Sequence, residues 1–238
     1  MSHTAHHIVI TGASQGIGAA TAVAFAGSVP GVHLSLLSRN TVKMEETAVR
    51  CRAHGAHVSV FECDVTQTAV LQDVAAKAVT AHGVPTCVVN NAGIFAPGEM
   101  ADVTEAVMQA QWDVNVMSAF TLSRALLPGM VQRGSGMLLF MASVASIEGY
   151  PGGLAYCVTK HAMLGLARAL RTELKTSGIR VTSILPGGTF TPSWDGSDID
   201  EERLMPAEDI ARAVVSAYLM SDRTVVEEIL LRPQLGDL

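Results

Sequence analysis

Tyr156 and Lys160 are two residues whose types and spacing could carry out acid–base chemistry. The surrounding apolar pattern predicts a helix, and residues four apart lie on the same face of a helix. A free phenol has a pKa of about 10, so it exchanges protons poorly at neutral pH. A neighbouring ammonium group stabilises the phenolate and lowers that pKa, which makes the pair a predicted proton donor and acceptor. The alternative is an exposed helical pair without a catalytic role.

A glycine-rich segment near the N-terminus, residues 11–18, reads TGASQGIG and could bind phosphate. Gly12 permits a tight turn, Gly16 lets the backbone approach a pyrophosphate, and Gly18 allows close packing of a helix on a strand. The N-terminus of the following helix offers free N–H groups and a positive dipole end. The glycines alone could mark a simple turn, but their position between a predicted strand and a predicted helix favours dinucleotide binding.

Short apolar segments alternate with longer helical patterns, which predicts a parallel sheet covered by helices on both faces. The predicted strands are residues 7–10, 32–37, 58–61, 86–89, 137–141, 179–185 and 228–231. The predicted helices are residues 17–26, 41–53, 70–81, 103–133, 155–176 and 207–220. Asp64 and Thr66 are expected to cap the third helix, His82 and Gly83 to end it, and Pro206 to lie in the first turn of the last helix. Residues 192–205 interrupt the alternation and are predicted to form a substrate lid, because they exceed an ordinary connection.

The composition excludes several classes of protein. The 238 residues are 49% hydrophobic and 16% charged, which indicates a large core rather than a disordered chain. The net charge of −6 argues against nucleic acid or an anionic membrane as the main partner. We expect no transmembrane helix, because no run of 18 apolar residues occurs. Residues 1–7 lack the layout of a signal peptide.

The cysteines and histidines give little indication of a metal. Four cysteines show no C-x-x-C pair, so reduced thiols and a cytoplasmic location are expected. His3, His6 and His7 could belong to a tag or a metal-binding tract, but they lead directly into a predicted strand. No metal site is therefore predicted.

Further short motifs follow the glycine turn in a fixed order. They are Asp64-Val65, Asn90-Asn91-Ala92-Gly93, Asn115, Ser143, Tyr156-x-x-x-Lys160, and Pro186-Gly187 with Thr191. Together with the G-x-x-x-G-x-G turn, they resemble the short-chain dehydrogenase/reductase family over nearly the whole chain. The resemblance implies one domain over residues 1–238: an α/β, single-domain Rossmann fold with a doubly wound, seven-stranded parallel sheet and helices on both faces.

The resemblance also implies a role for each catalytic residue. Tyr156 would donate a proton to a carbonyl oxygen in reduction and accept one from an alcohol in oxidation. Lys160 would lower the pKa of Tyr156 and bind the nicotinamide ribose, and Ser143 would hydrogen-bond the substrate oxygen. Asn115 would hold a water that connects Lys160 to solvent. In the alternative interpretation, Ser143 caps a helix and Asn115 satisfies a buried backbone group.

The turn after the second strand indicates which nicotinamide cofactor is bound. An acidic residue there bonds the ribose 2′-hydroxyl of NAD, whereas an arginine favours the 2′-phosphate of NADP. The chain has Ser38, Arg39 and Asn40 at this turn and no acidic residue, so NADP(H) is preferred over NAD(H). Arg39 could instead be a solvated loop residue. The predicted cofactor-binding residues are Gly12, Ser14, Gln15, Gly16, Ile17, Gly18, Ser38, Arg39, Asn40, Asp64, Val65, Asn91, Ala92, Gly93, Tyr156, Lys160, Pro186, Gly187, Thr189 and Thr191, with Asn90 beside them.

The substrate pocket is expected to form from residues that follow the catalytic motifs. They are Phe95, Ser146, Glu148, Tyr150, Gly187, Gly188, Phe190 and Trp194. Trp194 could stack on a planar ring or could merely anchor the lid. The C-terminal tail and the TPSW segment at residues 191–194 resemble sepiapterin-reductase-like bacterial members, in which a C-terminal acid anchors the pterin. Asp237 occupies that place, unless it is only a disordered terminal residue.

The expected function is therefore an NADPH-dependent carbonyl reductase that acts on a small-molecule ketone, such as a pterin side chain. The alternatives are a 3-oxoacyl thioester reductase, a general aldehyde or diketone reductase, and a non-enzymatic NADP sensor. Family members assemble as homodimers or homotetramers through two long helices. Residues 103–133 and 155–174 are apolar or small enough for such contacts.

Overall fold

Seven parallel strands form one sheet in this computed structural model, which describes residues 6–237. The strands of the protein are β1 His7–Thr11, β2 His33–Ser38, β3 His57–Glu62, β4 Cys87–Asn90, β5 Gly136–Met141, β6 Ile179–Pro186, β7 Thr189–Phe190, β8 Met205–Pro206 and β9 Glu228–Leu231. The order across the seven-stranded sheet is β3-β2-β1-β4-β5-β6-β9, so the chain winds outward in both directions from β1 and β4. The doubly wound sheet that the sequence predicted is confirmed.

Helices cover both faces of this sheet, and every predicted boundary of a main-sheet strand or α-helix lies within two residues of the observed one. Ile8 and Ile10 of β1 contribute to the core on one face, whereas Val9 points into the core on the other. Both faces are apolar because both are covered. The helices are α1 Gly16–Ser28, α2 Thr41–Ala53, α3 Thr68–His82, α4 Glu105–Trp112, α5 Ser118–Arg133, α6 Leu154–Leu174 and α7 Ala207–Tyr218.

The long helix predicted at residues 103–133 contains a π turn, Asp113–Met117, between α4 and α5. One extra residue in this turn reorients the side chains that follow, a geometry often found at functional sites. The span Glu105–Arg133 is long and apolar enough to cross a membrane by length and composition alone, but half of its most apolar window is buried in the protein. Burial of this kind is typical of a helix in the core of a protein.

Two local predictions about capping were wrong, and a third is confirmed. Asp64 does not cap α3; its carboxylate accepts hydrogen bonds from the amide and hydroxyl of Thr66 and closes a turn before the helix. Pro206 lies at the N-cap of α7, one residue before the first helical turn. The prediction that α3 ends at His82 and Gly83 is confirmed, with Gly83 at a φ of 78°.

The predicted lid has a fixed base. β7 and β8 pair in parallel, with Thr189 opposite Met205, so the two ends of the segment lie side by side. Between them are two short 3-10 turns, Pro192–Trp194 and Glu201–Arg203. This small sheet was not predicted, because two-residue strands leave no periodic pattern in the sequence.

The N-terminal histidines take part in packing. His3 lies outside the described residues. The His6 ring lies 2.6 Å from the Tyr218 hydroxyl, and the His7 ring contacts the Gly83 carbonyl oxygen at 2.7 Å. Among residues 6–237, no group of three or more His, Cys, Asp or Glu side chains is arranged to hold a metal ion.

Candidate active site

One large cavity, of about 800 Å³, lies at the carboxyl ends of the parallel strands. Ligands of open α/β sheets bind at this edge, because the loops that follow the strands converge there. The glycine turn lines one end of the cavity, and Ser143, Tyr156 and Lys160 line its middle. The structure therefore brings the two predicted sites, the phosphate turn and the proton-transfer pair, into one space.

The glycine turn has the geometry that a pyrophosphate site needs. Gly12 and Gly16 have φ angles of 66° and 56°, in the region that favours glycine. A Cβ on Gly18 would lie 2.3 Å from the Gly12 carbonyl oxygen, so only glycine allows this contact between the turn and α1. Gln15 precedes α1 and its side chain does not cap the helix. Phosphate oxygens can thus reach the amides at the start of α1.

Gly18 and Asn40 were both predicted to bind the cofactor, but neither lines the cavity. Gly18 packs against the turn itself, which is a structural role. Asn40 caps α2, because its side-chain oxygen accepts a hydrogen bond of 3.0 Å from the amide of Lys43. Ser14, Ser38 and Arg39 do line this end, with the Ser38 hydroxyl donating to Ser14 at 3.0 Å.

Thr11 fixes the loop after β4 against the glycine turn. Its hydroxyl oxygen accepts hydrogen bonds of 3.0 Å from the amides of Asn91 and Ala92. The Asn91 side chain donates to the Thr11 carbonyl oxygen at 2.9 Å. These bonds place Asn91, Ala92 and Gly93 in the cavity wall, opposite Asp64 and Val65. Asn90 points away and donates to Ser123 inside the core.

Ser143, Tyr156 and Lys160 form a compact polar group. The Ser143 hydroxyl donates to the Pro186 carbonyl oxygen at 3.4 Å and lies close enough to the Tyr156 phenol to act on its pKa. The Lys160 ammonium lies 5.4 Å from the centroid of the Tyr156 ring and donates to the Met141 carbonyl oxygen at 2.7 Å. Phe95 packs its ring against Tyr156 with centroids 5.3 Å apart. The phenol is therefore held between a hydroxyl, a cation and an aromatic wall.

Burial shifts both proton-transfer groups toward their neutral forms. It raises the pKa of Tyr156 to about 12, despite the opposing hydrogen bond from Ser143. It also lowers the pKa of Lys160 to about 8. The sequence predicted a lowered pKa for Tyr156, and the direction in the structure is the reverse. The reason is that removing the phenolate from water outweighs the stabilisation of its charged form by the Ser143 hydroxyl.

Asn115 lies in the π turn and is fully buried. Its side-chain oxygen accepts a 2.8 Å hydrogen bond from the Ile94 amide, and its amide group donates to the Ile94 carbonyl oxygen and to Thr159 at 3.0 Å each. Asn115 thus ties the loop after β4 to α6, next to Lys160. Its predicted role in holding a water stays a prediction, and its side chain is not part of the cavity wall.

Ser143 also performs the alternative role considered for it. Its hydroxyl accepts a hydrogen bond from the Ala145 amide, and Ser146 in turn accepts one from the Ser143 amide, which closes a capping box. Ser146 was predicted to contact substrate, but it is buried in this cap and absent from the cavity wall. Ser143 remains exposed to the cavity because its hydroxyl also reaches toward Tyr156.

The other end of the cavity is lined by most of the predicted substrate residues. They are Phe95, Glu148, Tyr150, Gly188, Trp194 and Asp237. Phe190 is an exception: it points outward, is 44% exposed and does not line the cavity. Pro186, Gly187, Thr189 and Thr191 line the centre, where a Cβ on Gly16 would lie 3.3 Å from Thr191. Cys157 and His161 lie outside this wall, consistent with packing roles.

The family comparison agrees with this arrangement. The model of the short chain dehydrogenases matches residues 6–202. The chain belongs to the short-chain dehydrogenase/reductase family. One relative in this family is the sepiapterin reductase of Chlorobaculum tepidum, which is 36% identical over 239 residues, with 98% of each chain covered. An uncharacterized oxidoreductase of Staphylococcus epidermidis is 32% identical, with 94% of this chain and 96% of that protein covered.

Solved structures of short-chain dehydrogenases/reductases share the fold. An alcohol dehydrogenase from the archaeon Thermococcus sibiricus, complexed with 5-hydroxy-NADP, has a TM-score of 0.90 at 27% identity, with 98% of each chain covered. A metagenomic short-chain oxidoreductase in complex with NADP has a TM-score of 0.84 at 29% identity, with 99% of this chain and 100% of the other covered. The Rossmann fold and the oxidoreductase class are thus shown for this chain.

Two charged residues that the sequence did not indicate contact side chains of the cavity wall. Lys43, on the first turns of α2, donates to the Gln15 side chain at 2.8 Å and so brings a cation beside the glycine turn of this short-chain dehydrogenase/reductase. Lys43 follows Arg39 by four residues in the sequence, and this spacing could have indicated that Lys43 lies near the cofactor-binding residues. Arg232 follows β9 and binds both Glu148 and Asp237. No local pattern in the sequence indicates these two contacts of Arg232.

Proposed function

We propose that this short-chain dehydrogenase/reductase is an NADPH-dependent carbonyl reductase that reduces the side-chain ketone of a pterin, as in sepiapterin. The observation that carries the reduction chemistry is the Ser143–Tyr156–Lys160 group in the cavity that also contains the glycine turn. The pterin assignment is supported by the C. tepidum relative named sepiapterin reductase and by Asp237 in the cavity wall.

The residues at the glycine turn fit a dinucleotide. The close contact of Gly18 with the turn and the uncapped start of α1 leave space and donors for a pyrophosphate. When bound, NADPH would supply the hydride that reaches the carbonyl carbon. Arg39 and Lys43 would pair with its 2′-phosphate, and no acidic residue follows β2 to oppose that charge. These two cations support the preference for NADP(H) over NAD(H).

Tyr156 would act as the acid in this reduction. Ser143 and Tyr156 would both donate hydrogen bonds to the carbonyl oxygen and polarise it. As the hydride forms the new C–H bond, the C=O π electrons pass to oxygen, which takes the phenolic proton and becomes a hydroxyl. With a pKa of about 12, the phenol is protonated at neutral pH, as the acid of a reduction must be. Lys160 would then stabilise the phenolate until solvent restores its proton.

Turnover with sepiapterin and NADPH tests the proposal. Consumption of NADPH is followed by absorbance for the parent protein and for Tyr156→Phe, with Tyr218→Phe as a matched control because Tyr218 is buried far from the cavity. Loss of the acid should lower turnover by roughly 10²–10⁴-fold, with NADPH binding retained. If Tyr156→Phe keeps most of the activity, the assigned proton role is wrong. Turnover of diketones or aldehydes but not sepiapterin would move the substrate to the general reductase class.

The assembly and the location are also proposals. Apolar side chains on the π turn, α5 and α6 are between 39% and 44% exposed: Met117, Phe120, Val131 and Val158. A homodimer or homotetramer would cover such faces. Light scattering of the parent and of Phe120→Glu tests this. A carboxylate buried in the interface should dissociate the assembly and lower the measured mass. All four cysteines are free thiols, which supports a reducing, cytoplasmic location.

A further inference from the structure

Three charged side chains meet at the substrate end of the cavity. The Arg232 guanidinium donates a 2.6 Å hydrogen bond to a Glu148 carboxylate oxygen through one terminal nitrogen. Its other terminal nitrogen pairs with Oδ2 of Asp237. Glu148 and Asp237 line the cavity, whereas Arg232 does not. Arg232 therefore lies behind the wall and joins two acids that face the ligand space.

This bridge connects two segments that are far apart in sequence. Glu148 belongs to the loop that starts at Ser143, and Asp237 belongs to the tail after β9. A turn returns the tail to the cavity, with the Gly236 amide donating to the Pro233 carbonyl oxygen at 2.9 Å. Because one guanidinium has five donors in a rigid plane, it can hold both carboxylates at fixed angles, which a lysine cannot do.

The bridge also determines which oxygen of Asp237 is presented to the cavity. Arg232 occupies Oδ2, and Oδ1 lies against Gly187, where a Cβ would be only 2.5 Å from that oxygen. The absence of a side chain at Gly187 thus leaves space for the carboxylate in the wall. The Gly187 amide holds the start of the tail through a 2.8 Å hydrogen bond to the Leu231 carbonyl oxygen. The position of Oδ1 is therefore set from both sides.

The charges at this end sum to −1, since one guanidinium faces two carboxylates. Carboxylates accept hydrogen bonds and have none to give, so this wall recognises groups that carry N–H donors. A ketone attached to an amino-substituted nitrogen heterocycle has such donors, whereas a simple diketone has none.

We infer that Arg232 is a positioning residue that holds Asp237 in the cavity wall and thereby makes the enzyme select carbonyl substrates that bear N–H donors. This inference rests on the proposed function, because it concerns how the same cavity distinguishes its substrates. Arg232 acts through Asp237 and touches neither the reacting carbonyl nor the proton-transfer group.

The first arm of the test needs no substrate. Hydrogen–deuterium exchange is measured for the parent, for Arg232→Met and for the control Arg168→Met. Arg168 forms a comparable pair with Glu228, at 2.7 Å on the same edge of the sheet but away from the cavity. Loss of the bridge should speed exchange in both residues 144–150 and residues 232–237, and the control should leave both segments unchanged. Unchanged exchange in Arg232→Met would overturn the bridge.

The second arm measures selectivity with sepiapterin and with diacetyl, a diketone without N–H groups. Arg232→Met should raise KM for sepiapterin by roughly tenfold and change kcat/KM for diacetyl by less than about twofold. Asp237→Asn should have the same effect, and the double variant should add little, because the two residues act as one unit. Arg232→Lys should recover only part of the loss.

The outcomes separate the two ideas. If Arg232→Met lowers kcat/KM equally for both substrates, Arg232 does not act through Asp237 and the inference fails. The inference also fails if the effects of Arg232→Met and Asp237→Asn add in the double variant. If the parent protein does not reduce sepiapterin or other ketones with N–H donors, the proposed substrate class is wrong. The inferred selectivity for N–H donors is then wrong as well. In that case the exchange measurement still decides whether the bridge itself exists.

Discussion

Acidification should destabilise the protein through one buried histidine, His7. This side chain is completely buried at the start of β1, where its Nδ1 lies 2.7 Å from the Gly83 carbonyl oxygen and its Nε2 lies 2.9 Å from the Ser35 hydroxyl. Burial is the main cause that lowers the pKa of His7 from 6.5 to about 4, against the opposing effect of the Gly83 bond. Positive charge on His82, His33 and Arg133 lowers it further.

The sign and size of the effect follow from the two pKa values. At a pH between these two values, His7 is protonated in the unfolded chain but not in the folded protein. The free energy of unfolding therefore falls as pH falls from about 6.5 to about 4. The stabilisation is complete above the unfolded pKa and lost once pH is below the folded one. A shift of about 2.5 pKa units corresponds to about 3 kcal/mol in total. Between pH 7 and pH 4.5 the loss from His7 should be about 2 kcal/mol.

Urea unfolding at pH 7 and pH 4.5 measures this loss. The difference between the two pH values should be about 2 kcal/mol smaller in His7→Gln than in the parent, because glutamine has no proton to take up. Comparing differences cancels the other titrating groups that the two proteins share. His54→Gln is the control, because His54 is exposed at the end of α2. If His7→Gln keeps the full pH dependence of the parent, the argument from burial is refuted.

The cofactor end of the cavity gives further predictions. Gly18→Ala would place a Cβ 2.3 Å from the Gly12 carbonyl oxygen, so it should lower stability by about 1–3 kcal/mol and impair NADPH binding. Urea unfolding and a fluorescence titration check this against Gly27→Ala, where the new Cβ meets nothing closer than 3.9 Å; equal behaviour of the two variants would contradict it. Arg39→Ala should raise the Kd for NADPH by roughly tenfold and leave that for NADH nearly unchanged, as measured by the same titration. Lys43→Gln should act in the same direction with a smaller change, and equal losses for both cofactors would disprove a contact with the 2′-phosphate.

The fold and the centre of the site could be predicted because their signals are local. Each strand and helix has its own apolar period, and the alternation of the two determines a parallel, doubly wound sheet. The carboxyl ends of such strands share one edge, so residues that follow different strands must approach each other. This is why Gly12, Asp64, Asn91 and Ser143, which follow four different strands, could be assigned to one cavity from sequence alone.

Orientation and burial were harder to predict. Ser146 is three residues from Ser143, a spacing that is typical of a capping box, and that signal could have removed it from the substrate pocket. Nothing comparable indicated the π turn around Asn115, because a change of helical period over only five residues is too short to be recognised in the apolar pattern. The pKa of Tyr156 was predicted in the wrong direction, since spacing shows that a cation is near but not how deeply both groups are buried.

The distribution of charge along the cavity could not be predicted from a net charge of −6, yet it bears directly on the substrate. Arg39 and Lys43 lie at the end that fits the 2′-phosphate, whereas Glu148 and Asp237 leave an excess negative charge at the other end. Charges act over roughly 8 Å at physiological salt, so each end influences mainly the part of a ligand that lies beside it. A substrate with its own phosphates, such as a thioester on a phosphorylated carrier, would meet repulsion from Glu148 and Asp237. A neutral heterocyclic ketone with N–H donors would meet attraction there, and this charge distribution supports the proposed pterin-like substrate over the thioester alternative.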